Sequence, residues 1–107
     1  MGTKSERRAA REQVAAYHEA QLTRLIEHVE AELVRFRAGE LDVFEVDAVI
    51  HQYHRAAKKL WGFCAQSGGQ VETTAYLIGR MADADDDEFA AADWWQRGAS
   101  RRSSDDA

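Results

Sequence analysis

Asp47, His51 and His54 stand at positions i, i+4 and i+7 of a stretch with helical periodicity. That spacing sets a carboxylate and two imidazoles along one side of a helix, and these donor types suit a transition metal. The pattern is short and lacks the Glu-x-x-His pairs of di-iron bundles. A polar helix edge, hydrogen-bonded to a neighbouring subunit, is the plainer and preferred reading. His28 is expected at the height of Tyr53 and His54 but on the opposite flank, so a His28–His54 site would have to be shared between two subunits.

The lone Cys64 and His18 are expected to share an interior neighbourhood with Trp61 once the chain folds back on itself. A His–Cys pair can generate a thiolate for redox sensing or ligand binding. Nothing in the sequence supplies an orienting third group or an oxyanion site. A buried structural cysteine beside a hydrogen-bonded histidine is therefore preferred.

Phe89-Ala90-Ala91-Ala92-Asp93-Trp94-Trp95 follows the acidic run Asp83 to Glu88. An aromatic segment of this kind resembles helix-in-groove recognition, and aromatics are enriched at interface hot spots. Phe89, Trp94 and Trp95 are thus interaction candidates. Adjacent tryptophans on one helix diverge, so the two cannot enter one groove; one is expected on the bundle and the other free. The preferred alternative is a C-terminal helix docked on its own core, since bare paired tryptophans invite aggregation. Two basic groups, Lys4/Arg7/Arg8/Arg11 and Arg55/Lys58/Lys59, read as solvated helix faces.

These residues need elements to position them. Gly39-Glu40-Leu41-Asp42-Val43-Phe44-Glu45-Val46 reads as a helix stop followed at once by a helix start. Gly39 suits a left-handed C′ position, and Arg35 and Arg37 complement the preceding helix dipole. Asp42 and Glu45 form the aspartate version of a capping box, with Leu41 and Val46 at staple positions. Helix 1 is predicted over about 6–38, its stripe being Val14, Leu22, Leu25, Val29, Leu33 and Phe36, with Ile26 at the edge. Helix 2 is predicted over about 43–66, with Val46, Val49, Ile50, Tyr53, Ala57, Leu60, Trp61 and Cys64 on a face broad enough for more than one neighbour. A shorter helix over about 70–82 presents Val71, Ala75 and Ile78. A fourth, over about 86–97, carries the aromatics. Residues 98–107 are expected to be a disordered tail.

The chain has 107 residues, a formal charge of −5 and no proline, and a pI near 5.3. The size fits one domain, and the absence of proline suits long helices. The acidic balance argues against a general nucleic-acid or anionic-membrane binder. No apolar run approaches the roughly 20 residues of a membrane span. The N-terminus lacks a secretory core, and Glu6 stands where a myristoylation signal needs serine or threonine. With one cysteine, the cytoplasm is the expected setting.

A helix of this length runs roughly 50 Å, whereas a compact domain of this size is about 35 Å across. Helix 1 must therefore fray at its start, stretch the molecule, or be covered by a second subunit. The reading that follows is an all-α chain: a long antiparallel hairpin plus one or two short C-terminal helices, a three- or four-helix bundle completed either by dimerisation or, nearly as well, by the short helices folding back to make a monomer. A non-catalytic interaction module fits best: an adaptor, regulatory or inhibitor-like accessory subunit that needs no cofactor, self-associates as a homodimer and binds another protein. The alternatives are a metal- or ligand-binding bundle at Asp47, His51 and His54, and a thiol sensor at Cys64.

Overall fold

The computed structural model describes residues 3–65, 69–83 and 93–99. Four helices make up the described fold: α1 (Lys4–Arg37), α2 (Val43–Cys64), α3 (Gly69–Asp83) and α4 (Trp94–Arg97). The molecule measures 54 × 30 × 26 Å. The chain is elongated, and α1 is helical from its first turn onward.

The corner between α1 and α2 is built from local signals. Gly39 has φ +80°, a left-handed backbone that a side chain would strain. The Asp42 carboxylate accepts from the Glu45 N–H at 2.8 Å, and Glu45 accepts in return from the Asp42 N–H at 2.9 Å. Behind them Val46 is buried and Leu41 half-buried, as a hydrophobic staple requires. Arg35 bonds Glu40 in the corner and Glu32 within α1.

α1 begins two residues earlier than its apolar stripe suggests. Thr3 is the N-cap, and Thr3 and Glu6 form a second reciprocal capping box. The Thr-x-x-Glu signature was present in the sequence; Thr3 precedes any apolar periodicity and so reads at first as part of a charged leader.

One side of the hairpin carries the core. Ala10, Val14 and Leu25 of α1 meet Ala56, Leu60 and Cys64 of α2, Val71, Ala75 and Ile78 of α3, and Trp94 of α4. α3 lies along the N-terminal half of α1, where Gln13 donates to the Ala75 carbonyl at 3.1 Å. α4 lies against α2. The Tyr17–Phe63 ring contact, 6.0 Å between centroids, fixes the antiparallel register where the sequence placed it.

Two expectations need correction. The fourth helix does not extend through residue 93: Asp93 is extended and caps α4, its carboxylate accepting from the Trp95 and Gln96 N–H groups. Nor does the ordered chain stop at Gly98. That residue is buried against α2, where a Cβ would stand 2.6 Å from the Ala56 Cβ, the Ala56 nitrogen and the Gln52 carbonyl oxygen. The absence of a side chain there is what lets the two backbones touch. Phe89, the acidic run beyond Asp83 and residues 100–107 lie outside the described residues. No described helix is long and apolar enough to cross a membrane.

Candidate functional site

Both tryptophans of the C-terminal pair are engaged within the chain. Trp94 is 4% exposed, and its indole N–H donates to the Tyr17 hydroxyl at 2.8 Å. Phe63 packs on the Trp94 ring at 5.4 Å, and the Arg97 guanidinium covers it at 4.6 Å. Burial pushes the Tyr17 hydroxyl above its ordinary pKa, while the indole hydrogen bond pulls the other way. Trp95 stacks flat on His28, with centroids 4.6 Å apart and planes 4° from parallel. Divergent directions are satisfied by two different partners, so neither tryptophan is left free.

α4 is a single turn, too short to hold itself. α2 supplies the missing partners. Gln52 donates to the Trp95 carbonyl at 2.9 Å, Arg55 to the Gly98 carbonyl at 2.7 Å and Lys59 to the Arg97 carbonyl at 2.7 Å. These are carbonyls at the end of a helix, where cations and donors are favoured. Arg55 and Lys59, which read as a wet face in sequence, are therefore the fasteners of the C-terminal segment.

The candidate metal donors are only partly assembled. His51 Nε2 lies 3.3 Å from Asp47 Oδ2, both side chains well exposed. His54 is exposed one turn further on. Among the described residues no group of three or more His, Cys, Asp or Glu is placed to hold a metal ion. Cys64 is buried, and burial pushes its thiol up to about 11. His18 is half-exposed, and no described contact joins it to Cys64. A buried cysteine with a raised pKa is a poor nucleophile.

What remains is the other side of the hairpin. Ile26 and Ile50 are 53% and 50% exposed. With Val29 and Tyr53 they line an apolar groove of about 300 Å³. The same side of α2 carries Val43 and Trp61, which are 59% and 62% exposed. They sit seven residues before and eleven after Ile50, hence on one helical face. Trp61, expected in the interior, is thus on the outside, because α3 and α4 both dock on the far side of the hairpin. Phe44 is more exposed still, 81%, but does not line this groove. A second cleft, about 380 Å³, opens between α1 and α4, and its mixed lining includes Arg24, Glu27, His28 and Asp93.

The sequence offered the aromatic tail as an interaction candidate but preferred it docked on its own core, and Trp94 and Trp95 are engaged within the chain. The large apolar side chains left exposed along the hairpin instead include Ile26, Ile50, Val43 and Trp61 on its open face. The signal of that face was visible as the unusual breadth of the helix 2 stripe. No known protein-family model, curated protein or solved structure matches this chain.

Proposed function

We propose that this protein is a non-catalytic helical interaction module, an adaptor, regulatory or inhibitor-like accessory subunit that works by offering the open α1–α2 face to another protein chain. The observation that carries this reading is the uncovered apolar strip through Ile26, Ile50, Val43 and Trp61. Water-exposed apolar strips of this extent on small soluble domains mark association surfaces. Self-association is part of the proposal, and so is a further protein partner. The cytoplasm is the proposed setting, on the strength of a single free, buried cysteine.

The test is capture of partners from the protein's own cells with the native chain and with Ile26→Glu and Ile50→Glu in parallel. A partner held by the native face and lost from both folded variants supports the module. Equal capture by all three chains would reject it.

One observation favours a second reading. The Asp47–His51 contact leaves half of a donor set poised on α2, and groups from a second subunit could complete a metal site with His54. Elemental analysis of protein purified without a tag decides this. Stoichiometric metal, lost from His51→Ala and His54→Ala, would carry it. The thiol-sensor alternative at Cys64 is weakened by the burial of that thiol.

A further inference from the structure

The spacing of the apolar residues says more about what covers the open face. On α1, Leu22, Ile26, Val29, Leu33 and Phe36 alternate at four and three residues. On α2, Val43, Val46, Ile50, Tyr53, Ala57, Leu60 and Cys64 alternate at three and four. Both are seven-residue seams, each made of two rows. In an isolated helix pair both rows would close against the facing helix. Here the two rows of α2 part toward the corner: Val46 and Leu60 are buried, whereas in the other row Val43 and Ile50 stand more than half or half exposed and Cys64, at its far end, is buried. On α1, Ile26 is likewise left open. Two adjacent helices that leave apolar residues open on the same outer side can pair with a second such hairpin as a four-helix bundle.

Resting on the reading of this face as the working surface, we infer that its occupant is a second copy of the same chain, with α1 of each copy laid over α2 of the other. Three observations support this occupant. A two-fold interface needs a self-complementary patch, and two seams of one period supply it. The face spans roughly 30 Å by 20 Å, so a pair would bury about 1,200 Å², the lower end of what stable interfaces use. The borders are complementary. Glu19 and Glu30 edge the face on α1, and His54 and Lys58 edge it on α2, all of them exposed. A two-fold axis along the hairpin sets Glu19 and Glu30 of α1 against the other copy's α2 border, where Lys58 is the cation. An axis across the helices would set Glu19 and Glu30 against their own copies. Asp47 also edges α2, but it already lies beside His51.

Sedimentation equilibrium of the full chain at micromolar concentration tests the inference. The expected mass is twice the 12.1 kDa of the chain. Ile26→Lys and Ile50→Glu should each weaken self-association at least about tenfold while leaving far-ultraviolet circular dichroism unchanged, and Phe44→Ser, off the face, should leave it intact. Combining Ile26→Lys with Ile50→Glu in one chain should restore the dimer, because each lysine then meets the other copy's glutamate. A monomer at every concentration, or a dimer indifferent to Ile50→Glu, would overturn the inference. A combined variant weaker than either single one would overturn the crossed arrangement. If the chain is monomeric but a different protein is still captured through Ile50, the interaction module stands without the second copy; if nothing binds through this face, both fall.

Discussion

The indole N–H of Trp94 donates to the hydroxyl oxygen of Tyr17 over 2.8 Å, joining residues 77 positions apart in the chain. This bond, with the Phe63 ring and the Arg97 guanidinium around the same indole, closes the core at its C-terminal end. Removing the acceptor while keeping the ring leaves a buried donor without a partner. Tyr17→Phe is therefore expected to cost about 1–3 kcal/mol, and Trp94→Ala about 3–5 kcal/mol. Urea melts followed by circular dichroism measure both. Trp94→Phe combined with Tyr17→Phe should cost less than the sum of the two single changes, because the bond is lost only once; strict additivity would mean that the pair is not coupled.

Two glycines should respond in opposite directions. A Cβ on Gly98 would lie 2.6 Å from backbone and side-chain atoms of α2, whereas one on Gly62 meets nothing within 4 Å. Gly98→Ala is expected to push the C-terminal segment off α2, at about 1–3 kcal/mol, with a red shift of tryptophan emission as Trp94 becomes wetter. Gly62→Ala sits inside a helix with room for a methyl and should stabilise by about 0.5–1 kcal/mol. Thermal melts that show both changes neutral would mean that α4 does not touch α2 in solution.

The hairpin itself can be tested at its corner and in its middle. Asp42→Ala removes the carboxylate that caps α2 and should cost about 0.5–2 kcal/mol. Leu25 is 2% exposed, so Leu25→Ala should cost about 2–5 kcal/mol as a buried truncation. Denaturant titration of each variant gives the values. A neutral Leu25→Ala would show that the α1 stripe is misassigned.

Alkaline pH should expose the burial of Cys64. Its folded pKa is raised to about 11 from an ordinary 9.0. Between those values the unfolded chain has lost the thiol proton and the folded chain has kept it, so stability falls as pH rises through this window and is unaffected below it. Tyr17, raised by burial, adds a loss of the same sign at higher pH. Cys64→Ala should flatten the first part of the decline. In the native protein at neutral pH, a thiol reagent should label Cys64 far more slowly than in urea; equal rates would place the thiol in water.

The legible and illegible parts of this chain divide by distance along it. The Gly39–Asp42 corner, the ends of α2 and α3 to within two residues, and the bond-forming partners of the Asp42 cap all rest on contacts three or four residues long, which the spacing of residue types encodes directly. The start of α1 at Thr3 was encoded in the same way, by a capping box placed ahead of any apolar repeat.

By itself the sequence determined an all-helical hairpin and the apolar stripes that run along both of its arms. Only the tertiary structure decided which residues of each stripe face inward, because that choice depends on where α3 and α4 come to rest. Their docking on one side buries Leu60 and Trp94 and leaves Ile50 and Trp61 outside. The same long-range choice turns Arg55 and Lys59 from solvated charges into partners for the last carbonyls of α4. A helix one turn long has too few internal hydrogen bonds to persist alone, so its position is set by what it touches and not by its own residues.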